Sequence, residues 1–278
     1  MTVQMKRRMR SNFTPQNPQF KDKVGEKEIE LNKLHNEDCI SYMRKLPSKC
    51  INLIIADPPY NIGKDYGNGT DKQSKEQYLQ FISDFINETK RILVDSGSLI
   101  LYTGKQYYPY WYIETENNMK IINQIIWKYD SSGVQPKNKY GGVYEPIIYA
   151  AINDKKRTFN KEHCMVEAKT GAKRGLIDYR KNPPQPYNTE KIDGDVWEFV
   201  RVRYKMPEYT NHPTQKPLSI CDRIVKVHSN ENDLVYIPFA GSGSEIESCI
   251  KNNRNWIATE LNEEYINEII LPRIQNVE

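Results

Sequence analysis

Four consecutive residues, Asp57-Pro58-Pro59-Tyr60, place a carboxylate, two rigid prolines and an aromatic ring directly after the apolar stretch 52–56. Proline fixes its own φ at about −65° and biases the preceding residue toward extended geometry, so the Asp57 carboxylate and the Pro58 carbonyl are held rigidly. Two acceptors in this arrangement are able to hold one planar exocyclic amine. The alternative is a rigid turn that caps a core strand, with Tyr60 packed inward.

A second apolar stretch, 234–237, leads into the glycine turn Phe-Ala-Gly-Ser-Gly at 239–243. Glycine allows close approach of the backbone to a ligand. Glu260 follows Gly241 by 19 residues, at the end of the next predicted strand, where nucleoside sites hold ribose hydroxyls. The turn lacks the phosphate-binding loop and dinucleotide patterns. We therefore predict an adenosine cofactor without pyrophosphate, with S-adenosylmethionine as the candidate; the alternative is a purely structural turn.

Parallel strands are needed to bring these two ends together. Alternating and apolar runs predict strands at 28–34, 52–57, 97–103, 120–129, 143–152, 234–237 and 256–260, and helical spacing predicts helices at 38–46, 74–93, 218–228, 243–253 and 262–276. The alternation predicts an α/β fold with a mostly parallel central sheet and an antiparallel edge hairpin. Ligands bind beyond the carboxyl ends of such strands, so we expect Asp57 and Gly241 to meet there. The polar, glycine-containing stretch 61–73 is predicted to be a mobile loop beside them.

Composition narrows the class of protein. The 278 residues are 38% hydrophobic, and the mean hydropathy is −0.77, which excludes a membrane-spanning segment of about 20 apolar residues. Five scattered cysteines lack metal-ligand spacing. We predict a cytoplasmic protein with reduced thiols and without a structural metal.

Positive charge is concentrated in two segments although the net charge is only +4. Residues 1–23 resemble a flexible basic arm. The segment 154–210 mixes lysines and arginines with tyrosines and prolines and fits neither secondary-structure period. This composition suits a nucleic-acid surface, but charge alone does not separate that hypothesis from a solvated loop region.

Three motifs in order, DPPY at 57–60, HPTQKP at 212–217 and PFAGSG at 238–243, resemble the permuted β class of DNA N6-adenine methyltransferases over roughly 28–275. The resemblance implies a Rossmann-like S-adenosylmethionine-dependent fold and methylation of a flipped-out adenine in double-stranded DNA. It divides the chain into the arm, a catalytic half at 24–153, a target-recognition insertion at 154–211 and a cofactor-binding half at 212–278.

The resemblance also assigns site residues. It makes the tetrad catalytic: Asp57, Pro58, Pro59 and Tyr60, with Tyr60 stacking on the base. It implies a cofactor site formed by Asp38, Asp57, Lys216, Phe239, Ala240, Gly241, Ser242, Gly243 and Glu260, while His212 is expected to be positional. For nucleic-acid binding we select the basic residues Lys64, Lys137, Lys139, Lys173, Arg174, Arg180, Lys181, Arg201 and Arg203.

Departures from the family pattern leave alternatives open. Ile237 stands where the family usually has an aspartate, and Ser244-Glu245 where paired threonines are common. A catalytically impaired DNA-binding relative is therefore an alternative, as is N4-cytosine methylation, because the cytosine amine has the same geometry. Asp57 at the first tetrad position favours adenine in this family. A homodimer and a cognate restriction endonuclease are the possible protein partners.

Overall fold

A computed structural model describes residues 29–65, 69, 71–130, 136–169, 171 and 173–277. The predicted basic arm at 1–23 lies outside the described residues.

Strands and helices alternate along most of the described chain. The strands are β1 (Lys33–Asn36), β2 (Ile51–Ala56), β3 (Leu93–Tyr102), β4 (Lys120–Lys128), β5 (Tyr144–Ala151), β6 (Met165–Glu167), β7 (Ile177–Asp178), β8 (Gln185–Pro186), β9 (Glu190–Ile192), β10 (Val196–Glu198), β11 (Leu234–Ile237) and β12 (Asn255–Glu260). The helices are α1 (Cys39–Met43), α2 (Lys75–Ile92), α3 (Tyr108–Asn118), α4 (Leu218–His228), α5 (Ser244–Lys251), α6 (Glu263–Tyr265) and α7 (Leu271–Gln275). A 3-10 turn covers Lys161–Cys164, and a π-helical turn, Ile266–Ile270, joins α6 to α7.

Eight strands form one sheet in the order β1-β12-β11-β2-β3-β5-β4-β10. Neighbours are parallel except where β5 runs antiparallel to β3 and β4. Because β2 and β11 are parallel neighbours, with Leu53 opposite Val235, the segments that follow them emerge at the same edge. We call this edge, where β1, β12, β11, β2, β3 and β4 end, the carboxyl edge.

Helices cover both faces of the sheet. One apolar layer joins the sheet to α1, α2 and α3, and the other joins it to α4, α5 and the C-terminal helices. The central strand β2 is almost completely buried, from Ile51 to Ala56, as its continuous apolar run predicts for a strand packed on both faces. Helix α2 begins at the predicted N-cap, where the Ser74 side chain accepts from the Gln77 amide in a capping box.

Two local predictions are corrected. Among the residues described from 29 onward, the first strand begins at Lys33, because Asn32 has a left-handed φ of 57° that interrupts an extended run; position 28 of the predicted strand lies outside the described residues. The hairpin β4–β5 is not the edge of the sheet. Strand β10, which the sequence did not indicate, pairs in parallel with β4 and forms that edge.

The basic segment therefore contributes to the main sheet as well as projecting from it. Trp197 of β10 is buried, and the Trp127 indole donates to the Phe199 carbonyl at 2.8 Å. Elsewhere the described part of the segment contains two small antiparallel ladders, β6 with β9 and β7 with β8.

The described residues contain no helix that is both long enough and apolar enough to cross a bilayer. They also bring together no group of three His, Cys, Asp or Glu side chains suited to a metal ion.

Candidate active site

The tetrad follows β2 at the carboxyl edge of the sheet, and a hydrogen bond from α2 fixes its backbone. The Tyr78 hydroxyl of that helix donates to the Pro59 carbonyl at 2.6 Å. Directly after the tetrad, Asn61 has a left-handed φ of 55°. Its side-chain amide donates to the Gln73 carbonyl and accepts from the Gln73 amide, at the other end of the loop 61–73. The same side chain donates to the Tyr107 hydroxyl. These contacts fix the backbone on the C-terminal side of Asp57.

The Asp57 carboxylate contacts a buried ammonium and a phenol. Lys216 donates to Oδ2 at 2.6 Å, and the Tyr60 hydroxyl donates to Oδ1 at 2.8 Å. Only 4% of the Lys216 side chain is exposed. Burial lowers the pKa of Lys216, but the carboxylates of Asp57 and Glu145 outweigh burial and raise that pKa above its ordinary value. Lys216 is therefore a permanent cation beside Asp57.

Glu145 is a second carboxylate in this cluster, and sequence reasoning missed it. Its Oε2 lies 3.4 Å from the Lys216 ammonium and accepts from the Tyr60 hydroxyl at 3.2 Å. Glu145 lies near the start of β5, and because β5 is antiparallel, its first residues reach the carboxyl edge. The predicted hairpin could have indicated Glu145, because a hairpin places the start of its second strand beside the end of its first, at the carboxyl edge.

Contacts with these two carboxylates and with Gly104 hold the Tyr60 ring in place. A Cβ built on Gly104 would lie 2.8 Å from the Tyr60 Cβ, so the ring packs directly on the glycine backbone. Burial raises the Tyr60 pKa well above its usual value, and Asp57 and Glu145 raise it further. The hydroxyl thus keeps its one proton, which the two acids share, with the shorter contact to Asp57.

The glycine turn adopts the backbone that its residues predict. Gly241 has φ 51° and Gly243 has φ 74°, which is the left-handed region that favours glycine. The Gly241 amide donates to Glu260 Oε2 at 2.8 Å, and the Asn262 amide donates to Glu260 Oε1 at 2.9 Å. Glu260 therefore ties the end of β12 to the turn after β11.

Phe239 and Ala240 join the turn to the body of the protein. The Phe239 ring packs against Phe81 and Phe85 of α2, with centroids 6.3 and 5.7 Å away. Ala240 is buried, and its amide donates to the Thr259 carbonyl at 3.0 Å.

The start of α5 is linked to the C-terminal helix by hydroxyl contacts. The Ser242 hydroxyl lies 3.1 Å from that of Ser244, which accepts from Arg273 at 2.9 Å. The unusual Ile237 is 1% exposed and packs in the apolar layer below the turn.

Asp38 lies two residues beyond β1, beside the end of β12, since Asn36 is paired with Glu260. One of its oxygens, Oδ1, accepts from the Ser41 amide at 2.9 Å and caps α1. The structure thus brings Asp38, Glu260 and Gly241 to three adjacent strand ends.

The segment 212–217 contacts both the glycine turn and the tetrad, through His212 and Lys216. His212 packs over the glycine turn, with its Cε1 3.1 Å from a Cβ built on Gly241, and its ring lies 4.8 Å from that of Tyr265. Burial, with Lys216 and other nearby cations, lowers the His212 pKa to about 3. A neutral imidazole at physiological pH agrees with a positional role. Gln215 fixes the segment through the Thr210 amide and the Glu208 carbonyl.

These residues fit a nucleoside ligand. Each Glu260 oxygen accepts one amide, which leaves each oxygen a further lone pair for a ribose hydroxyl. Asp57 lies at the tip of the neighbouring strand. The arrangement places an amine-binding acid beside a nucleoside cradle.

The candidate basic residues divide into two groups. At the carboxyl edge, Arg201 stacks 4.5 Å from the Tyr129 ring, Arg203 pairs with Asp130, and Lys64 donates to the Pro213 carbonyl at 3.2 Å. Lys137 and Lys139 are exposed on the loop between β4 and β5. Lys173, Arg174, Arg180 and Lys181 lie among the small ladders, where Lys173 pairs with Glu167 and Arg180 with Asp178.

Replacing Glu260 by alanine is expected to weaken cofactor binding about 10- to 100-fold. Hydrogen bonds to a charged group are worth about 1.5–3 kcal/mol, and the Gly241 and Asn262 amides would also lose their acceptor. Calorimetric titration with S-adenosylmethionine measures the Kd. Glu263→Ala, an exposed acid three residues on, is the matched control, and an unchanged Kd for Glu260→Ala would remove Glu260 from the site.

Comparison with known proteins decides the family. The model of the family described as DNA methylase matches residues 51–271. The chain belongs to the DNA methylase family. It is 44% identical over 229 residues to the DNA adenine methyltransferase YhdJ of Escherichia coli (strain K12), covering 82% of this chain and 78% of that protein. It is 33% identical over 231 residues to the type II methyltransferase M.HpaI of Haemophilus parainfluenzae, covering 82% and 70%.

Solved structures show that this DNA methylase has the fold of S-adenosylmethionine-dependent methyltransferases. The complex of M1.HpyAVI with S-adenosylmethionine is similar at a TM-score of 0.58 and 23% identity, covering 87% of this chain and 98% of that one. The cytosine-N4-specific PvuII DNA methyltransferase is similar at a TM-score of 0.63 and 15% identity, covering 88% and 93%.

Proposed function

We propose that this DNA methylase transfers the methyl group of S-adenosylmethionine to the N6 amine of an adenine in double-stranded DNA. The observation that carries the proposal is the adjacency of two strand ends: the Asp57 tetrad follows β2, and the glycine turn follows its parallel neighbour β11. The family match supports DNA as the substrate.

An adenine amine is a poor nucleophile because its lone pair is delocalised into the ring. The Asp57 carboxylate and the Pro58 carbonyl each accept one N–H, which favours sp3 geometry at nitrogen and directs its lone pair toward the cofactor. When bound, the cofactor supplies an electrophilic methyl group on a sulfonium. Phe239, Ala240, Gly241, Ser242 and Gly243 hold its methionine end, and Glu260 and Asp38 hold its adenosine.

The target base must leave the helix, because its amine is not accessible inside a duplex. Tyr60 then supplies a stacking face, since its hydroxyl contacts to Asp57 and Glu145 hold the ring in one orientation. The loop 61–73 covers the base. In the described part of that loop, Asp71 accepts from the Ile62 and Lys64 amides, which links residues near its two ends.

Adenine is favoured over cytosine by two observations. The tetrad begins with Asp57, and the 44% identical relative is named as a DNA adenine methyltransferase. The intact cluster around Asp57 also argues against a catalytically impaired binding protein.

The decisive experiment is transfer of a tritiated methyl group from S-adenosylmethionine to duplex DNA, followed by separation of the nucleosides. We expect the label in N6-methyl-2′-deoxyadenosine. Label in N4-methylcytosine would support the alternative base, and binding of DNA without transfer would support the impaired relative.

The basic segment 154–211 is proposed to contain the recognition region. Strand β10 belongs to the main sheet, and the turn Lys161–Cys164 lies against α4, where the neighbouring Asn160 amide donates to the Val227 carbonyl. A segment exchange that tests recognition should therefore be confined to residues 165–192. Replacing 165–192 by the corresponding segment of a relative is expected to change the methylated sequence without changing the cofactor Kd, as sequencing of modified bases would show. An unchanged sequence with normal activity would place recognition elsewhere.

Type II methyltransferases are among the similar proteins, so a restriction-modification role with a cognate endonuclease is part of the proposal. A homodimer and a cytoplasmic location remain predictions from the sequence.

A further inference from the structure

We infer that Glu145 is a positioning residue that keeps the methyl-accepting site negatively charged by sharing the Lys216 ammonium and the Tyr60 hydroxyl with Asp57. The inference rests on the proposed function and adds a residue that the sequence motifs do not contain.

The contacts show that Asp57 does not hold its two donors alone. Lys216 lies 2.6 Å from Asp57 and 3.4 Å from Glu145, and the Tyr60 hydroxyl lies 2.8 Å from Asp57 and 3.2 Å from Glu145. The Lys216 ammonium also lies 4.8 Å above the Tyr102 ring. The cation is thus enclosed by two carboxylates and aromatic faces, with little access to water.

Charge within this group depends on Glu145. Asp57 and Lys216 together are neutral, whereas Asp57, Glu145 and Lys216 together carry one negative charge. Lys64 adds a second cation nearby, but its side chain is partly exposed and its ammonium contacts the Pro213 carbonyl, so the high dielectric constant of water weakens its field more than that of the buried Lys216.

A net negative charge has a specific use in this reaction. As the nitrogen bonds to the methyl carbon, the bond from that carbon to the sulfonium breaks and its electron pair stays on sulfur. The nitrogen is positively charged until one of its N–H protons passes to water. A nearby anion therefore stabilises the transition state more than the ground state of the neutral amine. Without Glu145, the buried Lys216 would oppose that charge through the same Asp57 oxygens that must accept the amine. Glu145 therefore acts through Lys216 and Tyr60 without contacting the base.

The structure makes two substitutions informative together. Glu145→Gln keeps the size of the side chain and removes its charge. We expect it to lower kcat about 10- to 100-fold while the KM for DNA and the Kd for S-adenosylmethionine change less than about threefold. Glu198→Gln, an exposed acid of β10 at the same edge that pairs with Lys128, is the matched control and should retain full kcat.

The double variant Glu145→Gln/Lys216→Met tests the charge argument directly. Removing both charges leaves Asp57 as the one charged residue of the three, so kcat should be at least about threefold higher than for Glu145→Gln alone. A merely structural role for Glu145 predicts a further loss, because two polar contacts are removed instead of one. Thermal unfolding of each variant identifies any loss of folded protein.

Outcomes separate this inference from the proposed function. If the wild-type chain methylates adenine and Glu145→Gln has wild-type kcat, or if the double variant is no better than Glu145→Gln, the role of Glu145 is overturned while the function stands. If the wild-type chain itself transfers no methyl group to DNA, the proposed function fails first.

Discussion

Replacing Asp57 by asparagine is expected to reduce methyl transfer by about 10²- to 10³-fold, the usual cost of removing one group that stabilises charge in the transition state. Asparagine keeps the shape of the side chain but loses the negative charge that accepts the amine and pairs with Lys216. The Kd for S-adenosylmethionine should change little, because the glycine turn and Glu260 lie on the neighbouring strands.

Single-turnover methylation and calorimetric cofactor titration separate these two effects. Asp84→Asn, an acid of α2 that forms an exposed pair with Arg44, is the control and should retain wild-type rates. If Asp57→Asn transferred methyl groups at the wild-type rate, Asp57 would not be the residue that activates the amine.

Replacing Lys216 by methionine is expected to reduce both activity and stability. The substitution leaves the carboxylates of Asp57 and Glu145 facing each other around an apolar side chain, and two such acids favour binding a shared proton. A protonated Asp57 accepts the amine poorly, so we expect at least about a tenfold lower kcat. Breaking a buried ion pair costs roughly 3–5 kcal/mol, and partial exposure of both acids places the expected loss in the lower part of that range or below it.

The pH dependence follows from the direction of the pKa shift. Because the folded-state pKa of Lys216 is raised above 10.5, its pairing stabilises the wild type fully at neutral pH and is lost only as the pH rises through the raised value. Chemical denaturation at pH 7 should therefore show the full difference between wild type and Lys216→Met. Lys128→Met removes an exposed lysine at the same edge and should be nearly neutral, and equal stability of Lys216→Met and wild type would show that the buried pair contributes nothing.

Most of the fold could be predicted from periodicity and end signals. Helix α4 and strand β11 have the predicted bounds, because their apolar patterns are strong and polar or proline residues flank them. Strand β10 was not predicted, since its three residues are too few for a period and pair only because β4 offers an open edge. The late start of β1 depends on one left-handed residue, Asn32, which the alternation of side chains does not reveal.

The sequence predicted which strand ends form the candidate site but not which side chains contact one another there. Asp57 and the glycine turn are marked by residue types that restrict the backbone, so their position follows from local sequence. The Lys216 contact with Asp57 joins residues 159 positions apart, and the Tyr60 contact with Glu145 spans 85. Such pairs depend on how the segment 212–217 and the antiparallel β5 pack at the edge, and no spacing rule supplies that.

Ile237 illustrates the limit of a family pattern. Because Ile237 stands where the family usually has an aspartate, the sequence left a catalytically impaired relative open. In the structure the Ile237 side chain is buried in the apolar layer below the turn. The contacts that hold the turn come instead from the Glu260 carboxylate and the Thr259 carbonyl.

The central claim is that the ends of β2 and β11 present an extruded adenine to a methyl donor. A crystal structure with the unreactive cofactor analogue sinefungin and a duplex that the enzyme methylates tests it most directly. We predict the adenine N6 within hydrogen-bonding distance of the Asp57 carboxylate and the Pro58 carbonyl, and the analogue's ribose on Glu260. A base that remains stacked in the duplex beside a loaded cofactor, or an analogue bound away from the 239–243 turn, would contradict the account.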